Sequence, residues 1–166
     1  MQLSGTVIYE ERITFWIVVG IFLFLSALFL FMLLYQIFVA PIGTKPAPNS
    51  FLILMLLVFL FFFFGFYQYR LILTGDMLVV GFPVYSFKMP WENIETVEPM
   101  KESVWKYGGY GIRVGKMNGK KVLLIVIPGA KHLKLTLRSG KWGYMVVSTK
   151  NVDTAINYIR QEIEIH

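Results

Sequence analysis

The sequence predicts an α+β membrane protein, in which an N-terminal hairpin of two transmembrane helices precedes a small antiparallel β-domain closed by a C-terminal helix. Hydrophobic residues make up 56% of the chain and charged residues 16%, whereas globular domains average roughly 45–50% and 25%. The excess is local, because 13 of the 15 phenylalanines precede residue 67. After residue 70 the pattern changes to short apolar segments separated by turn residues, which is typical of β-strands.

The first predicted transmembrane helix covers residues 14–40, inside an uncharged stretch that runs from Ile13 to Thr44. A helix needs about 20 apolar residues to cross the hydrocarbon core of a bilayer, so this segment is long enough. A cleaved signal peptide is the competing interpretation. It fits poorly, because the apolar run is too long, Glu10 and Glu11 lie in front of it, and no small-x-small cleavage site follows.

The second predicted transmembrane helix covers residues 51–69 and ends at Arg70. Three prolines in the connection 41–50 end the first helix, since proline cannot donate a backbone hydrogen bond and restricts the residue before it. We therefore expect a membrane hairpin over residues 1–69 and a separate domain over residues 70–166.

The orientation of the hairpin follows from the distribution of basic residues. The connection between the helices carries only Lys45, whereas residues 70–166 carry 14 Lys and Arg. Because segments rich in Lys and Arg stay in the cytoplasm, we expect a two-span protein of the cell membrane with both termini cytoplasmic. Neither span contains a charged residue or a histidine, which argues against a proton relay or an ion pathway. Ser26, Gln36 and Gln68 are expected to make interfacial or interhelical hydrogen bonds.

Turn residues divide the remainder of the chain into short segments of strand character. Strands are predicted over residues 69–73, 77–82, 85–89, 95–100, 110–115, 122–127, 132–138 and 142–148. The C-terminal segment is helical instead, because apolar residues recur on one face from Val152 to Ile163, behind a cap at Thr149 or Asn151. Seven or eight antiparallel strands followed by one closing helix outline a pleckstrin-homology-like (PH-like) barrel or sandwich, which is the fold we expect.

Residues 107–113 read YGGYGIR. This run resembles the YGGWGIR-type signature of an uncharacterised prokaryotic family of membrane proteins, which have two N-terminal helices and a C-terminal PH-like domain. The step PWENI at residues 90–94 and the order of the helices and strands are similar as well. Two positions depart from the family, since Tyr110 stands where Trp is usual and Ile127-Pro128-Gly129 replaces Val-Ser-Gly. The resemblance implies the fold and no particular activity.

The run Gly108-Gly109-Tyr110-Gly111 admits two interpretations. Glycine amides can cradle an anion, but a phosphate loop opens a helix, and here a strand is predicted to follow. A conformational role, in which glycine permits a sharp turn into the strand, is therefore favoured. Arg113 alternates with Ile112 and Val114, which are expected to face inward, so Arg113 should point outward to an ion pair or a binding partner.

Catalysis and metal binding have little support in the sequence. The chain has no cysteine, which excludes thiolate nucleophiles, zinc fingers and iron–sulfur clusters, and its only histidines are His132 and His166. The four glutamates between residues 92 and 102 are spaced as a solvated face. We therefore expect a protein that is not an enzyme, with no catalytic residue, no cofactor and no metal.

Basic and aromatic residues of the β-domain are the remaining candidates for contact with a partner. Lysines and arginines recur on turns and outward strand positions of a chain with net charge +6, where they either keep the domain soluble or meet anionic lipid. Trp105 and Tyr107 alternate, so we expect them to share one face, packed either into the domain or against a partner. The predicted partner or lipid contacts are Trp105, Tyr107, Tyr110, Arg113, Lys116, Lys120, Lys131 and Lys134.

Together these features predict a non-enzymatic scaffold or accessory subunit of a membrane protein complex, by analogy with the peptide- and lipid-binding edges of PH-like domains. The expected partners are membrane lipids and either other integral membrane proteins or a second copy of the chain, with no nucleic acid. The alternative function is a peripheral sensor of anionic lipid headgroups, which would use the basic surface.

Overall fold

The structure is a computed structural model that describes residues 6–166. Three α-helices lie at Trp16–Phe38 (α1), Asn49–Phe66 (α2) and Val152–Ile165 (α3), and two short 3-10 helices lie at Trp91–Asn93 (η1) and Val104–Tyr107 (η2). The strands are Val7–Thr14 (β1), Gln68–Thr74 (β2), Met77–Gly81 (β3), Ser86–Pro90 (β4), Ile94–Pro99 (β5), Gly111–Met117 (β6), Lys120–Val126 (β7), Lys131–Leu137 (β8) and Tyr144–Thr149 (β9). The described chain divides into a helical unit, residues 14–68 with 82–84, and a β unit that holds the rest.

The helical unit is an antiparallel pair of apolar helices. At 1.5 Å per residue α1 is about 34 Å long and α2 about 27 Å, and both are long and apolar enough to cross a membrane, as predicted. Phenylalanine rings fill the contact between them: the ring of Phe22 stacks on Phe62 at 5.6 Å between centroids, and Phe29 lies 5.3 Å from Phe59. Most other side chains of the two helices point outward.

Polar side chains of the helical unit bond locally. The Ser26 hydroxyl donates to the Phe22 carbonyl oxygen in its own helix at 2.7 Å. The Gln36 amide nitrogen donates to the Ala47 carbonyl oxygen at 2.8 Å and to the Asn49 side-chain oxygen at 2.6 Å. Gln36 near the end of α1 therefore holds the last residues of the connection and the first residue of α2 by hydrogen bonds.

The β unit consists of two sheets that do not close into a barrel. Sheet A has the strand order β1-β2-β3-β4, and sheet B has the order β5-β8-β9-β7-β6. The predicted α+β class and the C-terminal helix are confirmed. Of the predicted barrel or sandwich, the closed barrel is wrong, and the expected all-antiparallel pairing is wrong as well. In sheet B, β7 and β9 pair in parallel from Val122↔Tyr144 to Ile125↔Val147.

Burial explains the parallel pair. Nearly every residue of β7 and β9 is buried, whereas β8 alternates between buried and partly exposed residues. Strands that are apolar on both faces favour the interior of a sheet, as parallel strands generally do. β7 and β9 accordingly lie side by side in the middle of sheet B, and β8 lies on the other side of β9.

Strand β1 was not anticipated from the sequence, which placed residues 1–69 in the membrane hairpin. β1 lies next to β2 in sheet A, and residues 6–13 belong to the β unit. The sequence VIYEERIT conceals the strand because three charged residues, Glu10, Glu11 and Arg12, follow one another in it. The strand before α1 and the strand after α2 are therefore neighbours in one sheet.

A buried carboxylate ties β1 to the start of α3. Glu11 is 6% exposed and accepts hydrogen bonds from the Thr149 hydroxyl at 2.9 Å, from the backbone N–H of Lys150 at 2.9 Å and from that of Asn151 at 3.2 Å. The Tyr9 hydroxyl donates to the same carboxylate. Asn151 precedes α3, and its side chain makes no capping bond, so Glu11 supplies the negative charge that a helix N-terminus favours.

Two further hydrogen bonds join the sheets and the loops of the β unit. The Tyr69 hydroxyl is fully buried and accepts from the backbone N–H of Ser148 at 2.8 Å, and its burial raises the pKa of that hydroxyl, which keeps it protonated. At the other end of β2, the indole N–H of Trp91 donates to the Thr74 carbonyl oxygen at 2.9 Å. Both ends of β2 are thus fixed by a buried aromatic side chain.

We predict that Glu11→Ala destabilises the β unit by about 2–4 kcal/mol, because it removes a helix cap and leaves buried donors without an acceptor. Glu10→Ala is the matched control, since Glu10 makes a more exposed ion pair with Arg12 and its loss should cost below about 1 kcal/mol. Chemical unfolding of the full chain in detergent, followed by circular dichroism, measures both. Equal losses for the two variants would contradict the proposed role of Glu11.

Candidate interaction surface at the edge of sheet B

The 3-10 helix η2 separates two aromatic residues that the sequence analysis placed on one face. Tyr107 is 7% exposed and packs in the core with Val104 and Met117, whereas Trp105 is 70% exposed. The expectation of a shared face is wrong because a 3-10 helix has three residues per turn, so residues two apart point in different directions. Of the two, only Trp105 is available to a partner.

Hydrogen bonds anchor the buried half of η2. The Tyr107 hydroxyl and the Lys106 ammonium both donate to the carboxylate of Glu102, the latter at 2.8 Å. The bond from Lys106, and to a smaller extent that from Tyr107, lowers the pKa of the Glu102 carboxyl. At the start of η2, the Ser103 hydroxyl oxygen accepts from the backbone N–H of Trp105 at 3.4 Å.

The exposed indole of Trp105 rests on an ordered support. Its ring meets Tyr110 edge-on, with the centroids 5.4 Å apart and the planes at 81°. A Cβ atom at Gly109 would lie 3.1 Å from the indole, and Gly109 has φ +83°, so glycine permits both the close approach and the left-handed backbone. The glycine run therefore has the predicted conformational role, and strand β6 follows it.

Strand β6 forms one edge of sheet B and pairs only with β7. Ile112 and Val114 are 36% and 60% exposed, although their cross-strand neighbours Ile125 and Leu123 are buried. The expectation that Ile112 and Val114 face inward is therefore wrong, because no strand among residues 6–166 pairs with the outer side of β6. We refer to β6 together with Trp105 and Tyr110 as the β6 edge.

Arg113 points outward from β6, as predicted. Its Nε donates to the backbone oxygen of Tyr110 at 3.3 Å. The guanidinium has no carboxylate partner among residues 6–166. It is therefore free to meet an anionic group at the β6 edge.

The two edges of sheet B carry opposite charge. Between Ser103 and Val152 the sequence has ten Lys and Arg and no Asp or Glu, and this stretch contains β6, β7, β8 and β9. The opposite edge strand, β5, carries Glu95 and Glu98. Among the predicted contacts, Lys134 alone reaches that acidic side, with its ammonium 2.8 Å from Glu98.

The basic residues do not form one continuous face. β8 begins at Lys131, which is paired with Thr149 close to the Glu11 carboxylate, and it ends next to Arg138. At that far end a group of residues lines one shallow cleft, namely Lys120, Lys121, Arg138 and Lys141 beside Trp142. The predicted contacts therefore divide by exposure: Trp105, Arg113, Lys116, Lys120 and Lys131 are exposed, Tyr110 and Lys134 are half-buried, and Tyr107 is buried.

His132 and Ser148 form a serine–histidine contact in sheet B. The Ser148 hydroxyl oxygen accepts from the Ile127 N–H at 2.9 Å and lies 3.1 Å from Nδ1 of His132. Burial lowers the pKa of His132, which favours the neutral imidazole. Ser148 is fully buried, so the pair holds the ends of β8 and β9 together. No cluster of three His, Asp or Glu that could hold a metal ion occurs within residues 6–166.

Comparisons with protein-family models, with curated proteins and with solved structures find no match to this chain. The resemblance of residues 107–113 to a prokaryotic membrane-protein family therefore stays a prediction.

The sequence did not identify Ile112 and Val114 as surface residues, although both are exposed in the structure. Their alternation with Arg113 is the pattern of a strand with one apolar face, and that pattern is the same for an inner and an edge strand. Edge position depends on strand order, which local sequence does not contain.

We predict that Trp105→Ala and Tyr107→Ala differ sharply in stability. Tyr107→Ala should cost about 3–5 kcal/mol, as core aromatic truncations do, whereas Trp105→Ala should change the free energy of unfolding by about 0.5 kcal/mol or less. Urea unfolding of the two variants in the same detergent measures the difference. A large loss for Trp105→Ala would show that the indole is a structural anchor.

Proposed function

We propose that this chain is a membrane-anchored, non-enzymatic interaction module, a scaffold or accessory subunit of a membrane protein complex, whose β unit presents the β6 edge to other proteins. The observation that carries the proposal is Trp105, which is exposed yet held in place by Tyr110 and Gly109. Tryptophan and arginine are enriched among the residues that dominate the binding energy of protein interfaces, and Arg113 is hydrogen-bonded to the backbone of Tyr110, whose ring contacts the indole. Exposed strand edges are a common docking surface for partner segments.

The helical unit supplies the membrane anchor of this proposal. Its outward-facing side chains are almost all apolar, as lipid-exposed helices require. β1 leads into α1, α2 leads into β2, and the two strands are neighbours in sheet A, which supports a hairpin whose two ends return to one side. Residues 70–166 carry 14 Lys and Arg, whereas the connection between the helices carries only Lys45. This difference favours a β unit on the cytoplasmic side of the membrane.

We predict that two single cysteines report opposite sides of the membrane. The chain has no native cysteine, so Lys45→Cys and Lys101→Cys each introduce one labelling site. A membrane-impermeant maleimide should label Lys45→Cys in intact cells and Lys101→Cys only after permeabilisation. The reverse pattern would contradict the orientation, and equal labelling of both in intact cells would contradict a spanning hairpin.

Lipid sensing by the basic surface is less well supported than protein contact. Lys131 lies at the first residue of β8 and Arg138 directly follows its last, so the basic cleft beside Arg138 is about 23 Å from Lys131 at roughly 3.3 Å per residue. Attraction to an anionic leaflet is screened within about 8 Å at physiological salt. One anionic headgroup therefore cannot meet both groups of basic residues, whereas an extended protein partner can.

We predict that the partner is lost with Trp105. Affinity capture of the full chain from membranes in mild detergent, with mass spectrometry of the captured proteins, should yield a stoichiometric integral membrane protein or a homo-oligomer. Trp105→Ala should reduce that yield at least about tenfold, which corresponds to the loss of one hot-spot contact.

The matched control is Tyr85→Ala, which removes another exposed aromatic side chain, 55% exposed, at the start of β4 in sheet A. Its yield should stay at the wild-type level. A monodisperse single chain without a stoichiometric partner, or an equal yield from Trp105→Ala, would overturn the proposed function.

A further inference from the structure

We propose that the β6 edge binds an extended, acidic segment of a partner protein, which adds to sheet B as a sixth strand. The inference deepens the proposed function and rests on it for the existence of a protein partner. It names the chemistry of the partner: apolar and acidic residues in an extended chain.

The backbone of β6 is suited to strand addition. Its pairing with β7 is regular along the whole strand, from Gly111↔Val126 to Met117↔Lys120, without a shift of register. An edge strand in an antiparallel pair directs the N–H and C=O groups of every second residue away from its neighbour, where another strand can bond to them. β6 contains no proline and no bulge, and only its first residue, Gly111, has a left-handed backbone, with φ +98°.

The opposite edge strand, β5, has two features that protect it against pairing with another strand. β5 has a register shift between Ile94 and Thr96 and ends in Pro99, and both features discourage edge-to-edge pairing. A second copy of the chain therefore offers no matching edge through β5. Pairing of β6 with β6 of a second copy would bring the cations of both strands together. A separate partner segment fits the β6 edge better than a second copy does.

Charge specifies the partner as acidic. Lys116 and Lys121 face each other across β6 and β7, and like charges in directly opposed positions destabilise a sheet. Both side chains are exposed, and neither has a carboxylate partner among residues 6–166. A carboxylate on an added strand beside Lys116 would relieve this repulsion. A second carboxylate beside Arg113 would pair with its guanidinium on the other face of the sheet.

The residue order of β6 defines a probe for this site. An antiparallel segment that meets Met117 to Gly111 in turn should carry glutamate opposite Lys116 and Arg113 and valine opposite Val114 and Ile112, because cross-strand apolar and opposite-charge pairs stabilise a sheet. The peptide Thr-Glu-Thr-Val-Glu-Val-Thr, blocked at both ends, has this order. The charge control replaces both glutamates by lysine.

Backbone methylation separates strand addition from simple charge attraction. Two versions of the acidic peptide carry N-methyl groups on alternate residues, one set on the odd positions and one on the even positions. In an added strand one set of N–H groups bonds to β6 and the other faces solvent. One methylated peptide should therefore lose binding and the other should keep it.

The experiment measures binding of dye-labelled peptides by fluorescence anisotropy to the full chain in nanodiscs of neutral lipid. We expect the acidic peptide to bind at least ten times more tightly than the lysine peptide and one methylated peptide, and more weakly as salt is raised. Lys116→Glu should weaken binding at least tenfold, whereas Lys88→Glu, an exposed lysine on β4 of sheet A, should leave it within twofold.

Several outcomes would overturn the inference. No binding of the acidic peptide, or binding of both methylated peptides at the parent's strength, excludes an added strand. Self-association of the chain that the acidic peptide does not displace would assign the edge to a second copy instead. A captured partner without peptide binding would overturn the inference alone, and peptide binding without any captured partner would overturn the proposed function alone.

Discussion

The β unit depends on one buried carboxylate. Glu11 comes from the strand before the first apolar helix, and its hydrogen-bond donors come from the end of β9 and the start of α3, close to the C-terminus. A buried carboxylate is tolerable only when its acceptor positions are filled, and Glu11 has four donors. Stacking of Tyr9 on Tyr158, with ring centroids 5.2 Å apart, joins the same strand to α3. The chain therefore enters the helical unit from β1 and returns from it into β2, which is the neighbour of β1 in sheet A. The outer strand of this sheet, β1, is held in place by residues 149–151.

A second constraint follows from the arrangement of sheet B. The two strands that are buried on both faces, β7 and β9, lie inside it together with β8, so β5 and β6 form its edges. β5 is irregular and acidic, while β6 is regular, basic and partly apolar. The order of the strands thus decides that Val114 is exposed while its neighbour Leu123 is buried. Exposure at the β6 edge is a result of topology rather than of the composition of β6.

Local signals in the sequence were sufficient to predict most of the helices and strands, and they were insufficient to predict how the strands are arranged in sheets. The apolar helices, the break between the strands predicted at 69–73 and 77–82, and the amphipathic C-terminal helix were predicted because length, periodicity and turn chemistry are local properties. β1 was missed because its charges resemble the flank of a transmembrane helix, although Glu11 is one of the most buried charged residues described. The parallel pairing of β7 with β9 depends on long-range contacts, which a short window does not contain. The opposite exposure of Trp105 and Tyr107 follows from the 3-10 helix η2, which the alternating pattern did not predict.

The two aromatic residues of η2 have different environments, because Tyr107 is buried in the core and Trp105 is exposed. Tyr107 closes the core over Gly115, where a Cβ atom would lie 2.8 Å from the Tyr107 backbone oxygen, so η2 is pressed onto one face of β6. That contact fixes the glycine run and, through Gly109 and Tyr110, the orientation of the exposed indole. A large side chain that is already ordered loses little conformational entropy when a partner covers it. The packing that stabilises the inner face of β6 therefore also orders the exposed side chain of Trp105.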